Sequence, residues 1–79
     1  MSQFDRLDRL AIKVAKGNRD GVEVLSTGEA VYVALAANDA ALLKDLNYTI
    51  AEAIARLGPD WTATLVERWQ YLGDPALRE

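Results

Sequence analysis

Apolar positions over the first sixteen residues recur at helical spacing. Phe4, Leu7, Leu10, Ala11 and Val14 make one stripe, which predicts a helix over 3–16. Ser2 is its expected N-cap and Gly17-Asn18 its expected stop. A turn-rich stretch, Gly17 to Leu25, follows. Then comes the most apolar run of the chain, Ser26 to Asn38. Ser26 and Glu29 have the spacing of a capping box, and Asn38 is a residue type that closes helices. Between them Ala30, Val31, Val33, Ala34, Leu35 and Ala37 leave almost no polar face. A helix apolar all round belongs in the interior, so this one is expected at the centre of the domain.

The same residues hold a rival pattern. Val22-Glu23-Val24-Leu25 and Val31-Tyr32-Val33 are rich in β-branched and aromatic side chains, and Thr27-Gly28 fits a turn between them. That pattern predicts a β-hairpin over 22–34. The helix is preferred, because Ala34, Ala36 and Ala37 are poor strand residues and a capping box has no role in a hairpin.

Leu42, Leu43 and Leu46 anchor a short third helix over 40–46, which Asn47-Tyr48 ends. Thr49 and Glu52 repeat the capping-box spacing ahead of a helix over 50–57, with Ile50, Ala53, Ile54 and Leu57 on its apolar face. Gly58-Pro59 is the expected stop and Asp60 the expected cap of a last helix over 61–72, with Trp61, Leu65, Trp69 and Leu72 as its core stripe. Gly73-Asp74-Pro75 stops that helix, and 74–79 is expected to fray. The fold expected is all-α: one domain over 1–79, a compact bundle of about five short helices around a buried central helix. The alternative is α+β with the hairpin at 22–34.

Composition narrows the chemistry. The 79 residues hold no Cys and no His, which removes disulfides, thiolate metal sites and the commonest general base. Ser26 and Thr49 are hydroxyls explained as caps. The acids Asp39, Asp45, Glu52 and Asp60 stand singly, without the spacing of a metal loop, and Gly17 to Gly21 and Gly28 do not fit a phosphate loop. The expectation is therefore a non-enzymatic protein with no cofactor and no metal. The longest apolar run, Ala30 to Ala37, is too short for a membrane span. The opening Met-Ser-Gln-Phe-Asp has no basic segment ahead of an apolar one, so a cytoplasmic protein is expected.

The net charge of −3 is unevenly spread. Residues 1–19 carry five bases and two acids, whereas 20–60 carry seven acids and two bases. The bases Arg6, Arg9, Lys13 and Lys16 share the outer arc of the first helix, opposite its apolar stripe. Helix, Gly-Pro turn and helix over 50–69 suggest a helix-turn-helix, but the second helix starts with Asp60 and has Arg68 as its base beside Glu67, too few cations for phosphate binding.

The segments Ser-Thr-Gly-Glu and Ala-Leu-Ala-Ala-Asn within 26–38, and Tyr-Thr-Ile-Ala-Glu-Ala-Ile-Ala-Arg-Leu-Gly-Pro-Asp-Trp over 48–61, resemble small uncharacterised proteobacterial and prophage-borne helical proteins. The resemblance covers about half the chain and carries no catalytic residue across. It implies an accessory protein that binds and blocks a host component. The resulting expectation is a protein–protein interaction module, an inhibitor or adaptor, whose partner contacts are Arg6, Arg9, Lys13, Lys16 and Tyr71. Tyr71 is included because it lies off the Trp61-Leu65-Trp69-Leu72 stripe. A homodimer is a further expectation for so small a domain. The alternative is a small nucleic-acid-binding regulator that uses the basic first helix.

Overall fold

Helices in this chain are delimited by their ends more than by their interiors. The computed structural model describes residues 3–69. Along them run α1 (Gln3–Ala15), a 3-10 turn (Val22–Val24), α2 (Thr27–Ala36), α3 (Ala40–Asp45) and α4 (Ile50–Trp69). No strand occurs among the described residues, so the hairpin over 22–34 does not form. The capping box decides the matter. Ser26 Oγ accepts from the Glu29 amide at 3.3 Å, and the Glu29 carboxylate accepts from the Ser26 amide at 3.0 Å. Thr49 and Glu52 make the same reciprocal pair at 3.1 and 3.0 Å ahead of α4. Each box satisfies two amides that a helix start leaves without partners.

Three helices stop by one device. Gly17, Asn38 and Asn47 have φ of 92, 54 and 65°, in the left-handed region. The amide of the next residue then reaches back to an open carbonyl: Asn18 to Lys13, Asp39 to Ala34 and Tyr48 to Leu43, at 2.9, 2.9 and 3.0 Å. These are Schellman closures. Asp39 serves twice, since its carboxylate also accepts from the Leu42 amide at 3.0 Å and so caps α3.

The expected break at Gly58-Pro59 occurs, as a kink rather than a loop and without the Asp60 cap: α4 consists of two helical halves that meet at one non-helical residue, Gly58, at φ 80° and ψ 170°. Proline has no amide to continue the helix and pushes the residue before it towards extended backbone. Yet its fixed φ suits the first position of a helix, so α4 resumes at Pro59 and Asp60 lies within the first new turn. Thr62 Oγ1 donates to the Ile54 carbonyl at 3.4 Å across the break.

α2 packs against α1, α3 and α4. Its residues Ala30 to Ala34 are all buried, with Tyr32, Val31 and Val33 fully inside. Leu7, Ala11 and Val14 of α1, Leu42 and Leu43 of α3, and Ala53 and Leu57 of α4 complete the buried set. Phe4, Leu10, Trp61, Leu65 and Trp69 pack around it half-buried. Ile50 and Ile54, expected in the core, are instead 62% and 43% exposed. α4 turns its Ala53–Leu57 edge inward, and a small alanine lets two helix backbones approach closely. Leu72, Tyr71 and the 74–79 tail lie outside the described residues.

Candidate interaction surfaces

The basic arc expected on α1 is only partly free. Arg6 reaches across to α2 and pairs with Glu29 at 2.8 Å. Arg9 Nε donates to the Asp5 carbonyl at 3.5 Å. Lys13 and Lys16 are exposed near the end of the helix. Between them and Arg9 stands Ile12, 46% exposed and off the apolar stripe. Ile12 is three residues from Arg9 and four from Lys16, hence on the same face. The structure thus keeps Arg9, Lys13 and Lys16 together, adds Ile12 and commits Arg6 to the fold. Tyr71 lies outside the described residues. Arg19, just beyond α1, is spent on α3: it pairs with Asp45 at 2.8 Å and Asp39 at 3.7 Å. These carboxylates, Asp45 first, hold its guanidinium more firmly charged than usual.

A second cluster joins the start of α1 to the end of α4. Asp8 accepts from Tyr32 Oη at 2.8 Å, from Trp69 Nε1 at 2.8 Å and from Arg68 Nε at 2.6 Å. Asp5 accepts from the other arm of Arg68 at 2.6 Å. Burial, and then the hydrogen bond to Asp8, push the Tyr32 hydroxyl up to about 12. Asp8 and then Asp5 raise Arg68 above its ordinary range, so its charge is firmly held. The guanidinium also lies 6.0 Å from the centre of the Phe4 ring. Trp61 meets Phe4 and Tyr32 edge to face, and Phe4 and Tyr32 are tilted at 51°, with centroids 5.0 to 6.0 Å apart. Among the described residues no buried side-chain donor or acceptor is left without a partner. The cluster is a clamp, and it takes Arg68 out of consideration as a phosphate contact.

The third surface is the outer side of α4 at its break. Ile54, Ala55, Gly58, Pro59, Thr62, Ala63, Val66 and Glu67 line an open apolar groove of about 640 Å³. Ile54 at one end and Val66 at the other are 43% and 55% exposed. The floor between them is made of small residues. Glu67 lies on one edge, and Asp60, seven residues earlier and exposed, falls on that edge two turns away. Arg56 points to α2 instead, its guanidinium lying against Gly28, 3.6 Å from where a β-carbon would sit.

Among the described residues no cluster of three or more metal-ligating side chains occurs, and no helix is long and apolar enough to cross a membrane. The chain matches no family model, no curated protein and no solved structure. Sequence reasoning missed the α4 groove and the Asp8 clamp. The groove had a signal, a Gly-Pro break between branched residues twelve apart. The clamp had none, because Asp8 and Arg68 are sixty residues apart.

Proposed function

We propose that this protein is a non-enzymatic interaction module that acts in the cytoplasm by docking α4's outer face on another protein. In this reading the bundle is built around α2, and the helices on either side are presented for contact. The observation that carries it is the α4 groove, where Ile54 and Val66 remain exposed while Ala53 and Leu57 of the same helix are buried. Contiguous apolar surface rimmed by charge marks contact sites more often than scattered apolar residues do. An inhibitor or adaptor role of the prophage-borne kind is consistent with this and rests on the resemblance alone.

The nucleic-acid reading is weakened by the same geometry. Arg6 and Arg68 are held in ion pairs and Arg9 Nε donates to the Asp5 carbonyl, so three of the cations near α1 already have partners within the fold. Affinity capture with the wild-type chain and with Val66→Glu tests the proposal. The expected result is a retained protein that Val66→Glu loses and that Lys13→Glu with Lys16→Glu keeps. Identical retention by wild type and Val66→Glu sinks it. Retention of nucleic acid that only the lysine variant loses would favour the alternative.

A further inference from the structure

The two halves of α4 are held in different ways. The first, 50–57, buries Ala53 completely and leaves Leu57 only 9% exposed. The second, 59–69, has no buried residue: Trp61, Leu65 and Trp69 are half-buried and pack on the core from outside. Between the halves the backbone is interrupted, because Gly58 is not helical and Pro59 has no amide to donate back to the first half. Helix cooperativity runs through that ladder of hydrogen bonds, so the halves need not form or melt together. Polar ties secure the second half to α1 at its far end. Arg68 reaches Asp8 and Asp5, both at 2.6 Å, and Trp69 Nε1 donates to Asp8 at 2.8 Å. The Arg68 and Asp5 side chains are 33% and 44% exposed, and ion pairs open to solvent are weak.

We propose that residues 59–69 form an arm that undocks as one unit about Gly58 while α1, α2, α3 and the first half of α4 stay folded, with the Asp8 clamp as its latch. Local opening takes the elements with the fewest buried apolar contacts and the most exposed hydrogen bonds. A hinge residue must absorb a large backbone change, and Gly58 has the room: nothing lies within 4 Å of where its β-carbon would sit. The interior survives the motion, since the buried hydrophobic residues all fall between Leu7 and Leu57. The Tyr32 hydroxyl keeps Asp8 as its acceptor, because both belong to the part that stays folded. What the arm uncovers is the pair of rings that Trp61 meets, Phe4 and Tyr32. Undocking also takes the α4 groove apart, because Ile54 stands on one side of the hinge and Val66 on the other. The latch therefore governs that surface wherever α4 docks on another protein; this consequence rests on the proposed function, and the undocking itself does not.

Native-state hydrogen exchange, followed by NMR at a series of low urea concentrations, tests the inference. It needs no partner, so it succeeds or fails separately from the proposed function. In the wild type the amides of 63–68 share one opening free energy with little urea dependence, and they exchange well before those of Val31, Tyr32 and Val33, which wait for global unfolding. Leu42→Ala in α3 weakens a part that stays folded when the arm leaves. It therefore speeds exchange at 31–33 and leaves exchange over 63–68 unchanged. Arg68→Gln weakens the latch and speeds exchange over 63–68 by about 2- to 30-fold, the range that two partly exposed ion pairs allow. In the wild type alone, opening energies over 63–68 equal to those at 31–33 overturn the inference, as do energies that fall steadily towards Trp69 in the manner of a fraying end. Exchange over 63–68 that accelerates with Leu42→Ala overturns it too, and Arg68→Gln without effect on those amides overturns the latch.

Discussion

At the scale of single residues, Asp8 joins more of the fold than any other polar side chain described. It accepts from Tyr32, Trp69 and Arg68, and so ties the first turns of α1 to the end of α4. Asp8→Ala leaves the fully buried Tyr32 hydroxyl without its acceptor, which costs about 1–3 kcal/mol. A urea titration measures this, and tryptophan emission reports the change at Trp69. Asp8→Asn keeps a carbonyl oxygen for Tyr32 and loses the charge facing Arg68, so its midpoint should fall between wild type and alanine. Tyr32 also makes stability depend on alkaline pH. Its folded pKa, about 12, lies above the ordinary 10, so the fold favours the neutral phenol. That contribution is complete below pH 10 and is lost as pH rises towards 12, about 3 kcal/mol over the interval. Tyr32→Phe should flatten the alkaline limb of a stability–pH curve.

At the scale of elements, the ends of the helices set the architecture. The Ser26 box turns a segment with strand-forming residues into α2, and Ser26→Ala should cost about 1 kcal/mol. The boxes also make stability depend on acid. The Ser26 amide holds the Glu29 carboxyl below its usual range, and the Thr49 amide does the same for Glu52. Depressed values mean that this stability is present above the ordinary carboxylate range and is lost as pH falls through the folded pKa. Glu29→Gln with Glu52→Gln should therefore flatten the acid limb of the same curve. Gly58 sets the break in α4. Its φ of 80° with ψ of 170° is a backbone region that only glycine occupies readily. A β-carbon there would meet nothing within 4 Å, so the cost of Gly58→Ala, about 1–3 kcal/mol, is backbone strain alone. Thermal melts measure it, and an unchanged melting temperature would show that the break does not depend on glycine.

At the scale of the whole molecule, charge is sorted between internal and external use. Arg6, Arg19 and Arg68 tie separate elements together, each to an acid at least twenty residues away. The radius of gyration, 11.7 Å, is close to the roughly 12 Å of a compact folded chain of this length. What remains outside is the Ile12 face of α1 and the Ile54–Val66 groove of α4. Val66→Glu should change stability by less than about 0.5 kcal/mol, because Val66 is 55% exposed and its removal opens no core cavity. Leu7→Ala, at a position with no exposure, should cost about 2–5 kcal/mol. That contrast, read by urea titration, separates a surface valine available for contact from one the core needs.

Read from residue order alone, this protein is all-helical, with its starts at Ser26 and Thr49, its stops at Gly17, Asn38 and Asn47, and the inner stripe of α1 already visible. All of these are local: a cap and its partner lie three residues apart, and a Schellman closure spans six. Where the second half of α4 starts was less legible, because a proline that ends one helix also begins the next. Three things belong to the tertiary structure alone. It turned α4 so that Ala53 and Leu57 went in while Ile50 and Ile54 stayed out, a choice made by which edge packs closest to α2. It gave Arg6 to Glu29 and Arg68 to Asp5 and Asp8, and so divided the cations into those that hold the fold and those left on its surface. It also left the α4 groove open. Sequence periodicity tells which side chains share a face, and only contact between distant segments decides whether that face is covered.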